Sequence, residues 1–116
     1  GAAVRTSIVS EGCHIYGCVE NSVLFPEVRV MPGAVVRNSI VMQNTVIGPD
    51  CLVEKAIIDE DVTMGRDCRV GGEKKITVIG QGVRMAAGAR VPGGTSVEPG
   101  SECAAAQCEA PEEVYV

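Results

Sequence analysis

The chain has no tryptophan, one phenylalanine and two tyrosines among its 116 residues. Its core therefore cannot be organised around large rings and must be filled by aliphatic side chains. No apolar run approaches the roughly 20 residues needed to cross a bilayer, so no membrane span is expected. Basic charge is scarce too: 10 Lys and Arg stand against 15 Asp and Glu, a formal net charge of −5. Nucleic acid and anionic membrane surfaces demand a net basic footprint, which excludes both as bulk partners. Nor does any segment carry a helical apolar period of useful length.

What the chain has instead is valine, isoleucine and alanine, with 46% apolar residues overall, punctuated by 14 glycines. Branched aliphatics between glycine breaks predict short strands joined by tight corners. The length suits one domain. The chain opens on "GAAVRTSIV" beside a repeat already under way, which reads as a cut from a longer polypeptide.

The repeat has a period of 17 residues. Leu24, Val41 and Ile58 follow one another at that interval, as do Val30, Ile47 and Met64, and also Val19, Val36, Val53 and Val70. Within one period the columns are spaced six, six and five, a hexapeptide rhythm with one residue missing on the third side. Four positions after the column members stand small or branched residues: Val28, Ala34, Thr45, Cys51, Val62, Cys68, Val83 and Ala89. At the corners before these and equivalent positions stand Gly12, Gly33, Asn44, Asp50, Asp61, Asp67, Gly82, Gly88 and Gly100, residue types that accept positive φ at low cost. The register breaks in "GGEKKIT" and resumes at Ile79, Met85, Val91 and Val97, so four extra residues project near 71–76. Five full coils and part of a sixth are expected, stacked about 4.8 Å apart with each backbone bonded to the coils above and below. Residues 1–102 form this all-β solenoid, and 103–116 are expected to be a tail or cap.

Hexads such as "IGPDCL", "MGRDCR" and "VPGGTS" resemble the left-handed parallel β-helix. Within that class "NSVLF", "GAVVRNSIVM" and "KAIIDEDV", covering about residues 5–65, are similar to the C-terminal domain of bacterial glucose-1-phosphate adenylyltransferase. The resemblance implies an oligomerisation and regulatory module of a cytoplasmic enzyme of glycogen synthesis. Its parent would join ATP to glucose 1-phosphate with release of pyrophosphate. An N-terminal nucleotidyltransferase domain would supply the chemistry with Mg²⁺ and ATP, and this chain would hold no cofactor. The family's closing segment carries a basic residue for phosphorylated effectors, whereas "ITVIGQGV" has Gly80 at that place.

Candidate functional residues follow from charge and spacing. Arg66, Arg69, Lys74, Lys75 and Arg84 cluster in sequence around the insertion and are read as a site for a sugar-phosphate or nucleotide effector. His14, the only histidine, would be the base in the alternative reading, a hexapeptide acyltransferase working at subunit boundaries with an acyl-CoA donor; an outward, solvated ring is the plainer expectation. The pairs Cys13 with Cys18 and Cys103 with Cys108 have a spacing that barely admits zinc; all six cysteines are expected to be reduced, with Cys51 and Cys68 as small fillers of the core. Asp59, Glu60 and Asp61 read as a solvated corner. "GGE" and "GARVPGG" lack the context of a phosphate loop and are assigned to corners.

Overall fold

A computed structural model describes residues 2–104. All of the described regular structure is β, in three six-stranded parallel sheets that form the walls of a six-coil prism. The first wall stacks β1 (Ala3–Arg5), β4 (Cys18–Glu20), β7 (Val35–Arg37), β10 (Leu52–Glu54), β13 (Arg69–Gly71) and β16 (Arg90–Pro92). The second stacks β2 (Ile8–Val9), β5 (Val23–Leu24), β8 (Ile40–Val41), β11 (Ala56–Ile58), β14 (Thr77–Ile79) and β17 (Ser96–Val97). The third stacks β3 (His14–Ile15), β6 (Arg29–Val30), β9 (Val46–Ile47), β12 (Thr63–Met64), β15 (Arg84–Met85) and β18 (Glu102–Cys103).

Register follows the 17-residue period. Val53 pairs with Val36 on one side and Val70 on the other. The ladder continues through the corners: the Val35 N–H donates to the Cys51 carbonyl at 2.8 Å and the Leu52 N–H to the Cys68 carbonyl at 2.9 Å. Because neighbouring coils satisfy one another's backbone, the sheets need no crossover helices. The three aliphatic columns point inward, and Val36, Val41, Ile47, Val53 and Ile58 are completely buried. The small set Val28, Ala34, Thr45, Cys51, Val62, Cys68, Val83 and Ala89 is buried beside them, filling the corners of the triangle.

All nine residues expected at left-handed corners have positive φ, from Gly12 at 77° to Gly100 at 75°. The corner between the first and second walls, which the glycine, asparagine and aspartate pattern does not mark, is left-handed as well. There Thr6, Asn21, Asn38 and Lys55 also take positive φ, between 48° and 52°. This is the five-residue side, and the missing residue forces a tighter reversal onto whatever side chain stands there. Serines knit the same corner from within: the Ser22 Oγ accepts the Ser39 N–H at 3.1 Å, and the Ser39 Oγ accepts the Ala56 N–H at 3.1 Å. Among the described residues no buried side-chain polar atom lacks a partner.

The insertion leaves after Gly71, whose φ of 94° and tight approach to the Glu54 carbonyl oxygen leave no room for a β-carbon. The chain rejoins the second wall at Thr77.

Cys13, Cys51 and Cys68 are thiols, as expected, while Cys103 is disulfide-bonded, which corrects the expectation of reduced cysteines at that position. Cys103 lies on the last described strand, at the end of the stack rather than between two coils. It also occupies the inward position next to Met85, so the column reaches one residue past 102. From residue 105 onward the expected tail lies outside the described residues.

Candidate functional site

The second wall is unlike the other two. Its first five strands carry consecutive aliphatics, Ile8–Val9, Val23–Leu24, Ile40–Val41, Ile57–Ile58 and Val78–Ile79, and strand alternation allows only one of each pair to face the core. The others stack outward in register as a column of Ile8, Val23, Ile40, Ile57 and Val78, closed by Ser96. Ile8 is 68% exposed, Ile40 37% and Val78 38%, while Val23 and Ile57 are half-buried. Ile76, on the insertion, adds a further apolar side chain that is 53% exposed. By contrast, the matching column of the third wall reads His14, Arg29, Val46, Thr63, Arg84 and Glu102. On the first wall Arg5, Glu20, Arg37 and Glu54 alternate in sign along one outward column.

Two clefts run along the edge of this aliphatic wall where it meets the first wall. One, of about 430 Å³, is lined by Ile40, Ile57 and Ile76 with Asn38, Glu54 and Lys55. The other, of about 330 Å³, lies nearer the first coil and is lined by Ile8, Val23 and Ile40 with Asn21 and Asn38. A polar ladder borders both: the Asn21 amide donates to the Asn38 Oδ1 at 2.7 Å, and the Asn38 amide to the Glu54 carboxylate at 2.8 Å. Lys55 fixes the insertion, since its Nζ donates to the Glu73 carbonyl at 3.3 Å and the Lys74 carbonyl at 3.1 Å.

The basic residues singled out in the sequence do not converge. Lys74 and Lys75 share an open cleft of about 520 Å³ with Gly72, Glu73 and Gly93 at the insertion. Arg69 lies on the first wall, in register with Arg90. Arg84 lies on the third wall between Thr63 and Glu102, and Arg66 is exposed at the corner before Arg69. Sequence proximity brought these residues together on paper because the chain turns a corner every few residues.

His14 is exposed on the first coil of the third wall, stacked on Tyr16 with ring centroids 6.4 Å apart. Asp59 accepts the Glu60 N–H at 2.7 Å, and Asp61 supplies a left-handed corner at φ 59°. Cys51 and Cys68 stack one coil apart, and their thiols donate to the Gly65 and Ala86 carbonyls at 3.0 and 3.2 Å. The hydrogen bond with the Cys68 thiol, helped by burial, pushes the Cys51 thiol well above the ordinary thiol range. Among the described residues no three of His, Cys, Asp or Glu come together to hold a metal ion.

The family description "GlmU-like, C-terminal hexapeptide" matches residues 1–83. Among curated proteins, the glucose-1-phosphate adenylyltransferase of Acetivibrio thermocellus is 62% identical over 34 residues, 29% of this chain and 8% of that protein. The enzyme of the same name from Thermotoga maritima is 51% identical over 37 residues, 32% of this chain and 9% of that protein. The matches thus span less than a tenth of these relatives' length. Among solved structures, the acetyltransferase domain of PglB from Neisseria gonorrhoeae in complex with acetyl coenzyme A superposes with a TM-score of 0.46 and 19% identity, covering 84% of this chain and 51% of that one.

Proposed function

The chain belongs to the GlmU-like C-terminal hexapeptide family, and from that membership we propose that it is the assembly and regulatory module of a glucose-1-phosphate adenylyltransferase. The observation that carries the reading is the local identity of 62% with an enzyme of that activity, inside a region whose fold is a hexapeptide solenoid. In this role the prism is a rigid, non-catalytic spacer. Its core is filled with aliphatics, and its outward residues are presented on flat walls that a neighbour can lie against. Adenylyl transfer belongs, on this reading, to an N-terminal nucleotidyltransferase domain that binds ATP and Mg²⁺. An anionic effector such as a sugar phosphate or nucleotide would meet Lys74 and Lys75, which share one open cleft with the Glu73 carboxylate and the glycine backbone of Gly72 and Gly93.

The test is an assay of the whole polypeptide that carries this chain, with ATP and glucose 1-phosphate, with and without residues 1–116. The intact protein is expected to release pyrophosphate and form ADP-glucose, and the isolated chain to turn over neither substrate. Loss of residues 1–116 is expected to alter subunit assembly and the response to phosphorylated sugars. Acetyl transfer from acetyl coenzyme A by the isolated chain, abolished by His14→Ala, would overturn the reading.

A further inference from the structure

The repeat supplies its own comparison for the cleft at the insertion. Both clefts along the edge of the second wall share Asn38 and Ile40, and the one nearer the first coil, of about 330 Å³, is lined by no charged residue. Toward the insertion the same groove widens to about 430 Å³, because Ile76 adds an apolar side and Glu54, Lys55 and Glu73 join the border. We propose that this wider cleft binds a small organic cation, a free primary alkylammonium whose chain lies along Ile40, Ile57 and Ile76 and whose charged end meets Glu54. The proposal goes beyond the enzyme assignment and does not rest on it.

Three observations select that class of ligand. The first is charge. The Glu54 Oε2 accepts one hydrogen bond, from the Asn38 amide at 2.8 Å, and among the described residues Glu54 makes no ion pair. Of the neighbouring cations, Lys55 turns its Nζ to the Glu73 and Lys74 carbonyls, at 3.3 and 3.1 Å. Arg37, in register with Glu54 one coil earlier, lines a separate cleft with Arg5 and Glu20. The carboxylate therefore keeps acceptor capacity that an ammonium can fill, and an anion at the same place would face Glu54 and Glu73 together. The second is the apolar floor. A bare inorganic cation would leave the isoleucines in water, whereas Ile40 and Ile57 are in register on adjacent coils, about 4.8 Å apart, so one short alkyl chain covers both. The third is preorganisation. Lys55 ties down the backbone of the insertion before any ligand arrives, which lowers the ordering cost of binding, and the volume falls within the roughly 300–1,000 Å³ of small-molecule sites. The insertion also closes one side of the cleft, which suits a free amine better than a side chain that trails a polypeptide.

The test is a titration of the isoleucine-methyl-labelled 116-residue chain with n-pentylammonium chloride at neutral pH, followed by NMR. Shifts are expected at the Ile40, Ile57 and Ile76 methyls, with a dissociation constant on the order of 1 mM or tighter. The neutral 1-pentanol and the anionic hexanoate are expected to bind at least about 10-fold more weakly. Glu54→Gln keeps an oxygen for the Asn38 amide and removes the charge, so it is expected to weaken pentylammonium by at least about 10-fold and to leave pentanol unchanged. If E54Q loses its β-sheet circular dichroism, E73Q, on the insertion outside the sheets, is read instead and is expected to weaken pentylammonium relative to pentanol. I76S removes one apolar side and is expected to weaken both ligands alike. Equal binding of pentylammonium and pentanol by the wild type would overturn the proposal, as would tighter binding of hexanoate, an affinity indifferent to E54Q, or no methyl shift at all. Tighter binding of Nα-acetyl-lysine methylamide than of pentylammonium would assign the cleft to a peptide side chain and overturn it too.

Discussion

Ser39 shows how single side chains hold successive coils together. Its Oγ donates to the Arg37 carbonyl at 2.6 Å and accepts the Ala56 N–H from the next coil at 3.1 Å. Ser39→Ala leaves that N–H buried without an acceptor, a loss of about 1–3 kcal/mol. Urea unfolding is expected to show a lower midpoint at unchanged slope, while Ser96→Ala, an outward position on the same wall, stays within about 0.5 kcal/mol. The Cys51 thiol adds a pH dependence. Its folded pKa lies above the ordinary value of 9.0 because of the hydrogen bond with the Cys68 thiol and burial, so the unfolded chain loses that proton first. The associated stability is fully present below pH 9.0 and declines as the pH rises past it. Cys68 shifts the opposite way, held down to about 7 by the same hydrogen bond, so its contribution grows towards pH 9.0 and is constant above it; unfolding midpoints should fall only above about pH 9, and Cys51→Ala should flatten that fall.

At the scale of the element, the insertion is a departure from the 17-residue period that leaves the stacking intact. Gly71 pairs with Glu54 and Thr77 with Ala56, so five residues replace the single Lys55 of the preceding coil. Deleting residues 73–76 would leave Gly72 at the left-handed corner, a conformation it adopts without strain. The shortened chain is expected to fold with a melting temperature within a few degrees of the wild type, since loop closure costs change slowly with length. The cleft beneath Ile76 should vanish with the loop. The insertion and two of the three corners were legible in the sequence because glycine, asparagine and aspartate mark them, as at Gly33, Asp50 and Asp67. The third corner was not, since Thr6 and Lys55 carry no such signature and the hydrogen-bonded serines behind them look like ordinary polar residues. The aliphatic stripe was legible in principle. In "SVLF", "SIVM" and "KAIID" two aliphatics stand side by side, and a chain alternating in and out cannot bury both. The basic cluster misled for the converse reason, because residues 66 to 84 pass through all three walls before the coil closes.

At the scale of the whole molecule, stability is a sum of coil-on-coil contacts, so it should differ between the middle and the open end. In the first coil Val4 and Val9 occupy inward columns yet are 48% and 37% exposed, because no earlier coil covers them among the described residues. Hydrogen exchange is therefore expected to be faster at the Ile8 amide, bonded to the Ser22 carbonyl, than at the Val35 amide, bonded to the Cys51 carbonyl. The claim beneath the fold is that equivalent positions of successive coils lie directly over one another, 17 residues apart in the regular coils and 21 across the insertion. Methyl-to-methyl nuclear Overhauser effects on a valine- and isoleucine-labelled chain test it most directly. Strong contacts of Val53 with both Val36 and Val70, and of Ile57 with Ile40 and Val78, are expected. Contacts of Val53 with residues of an antiparallel neighbour, in place of these, would contradict it.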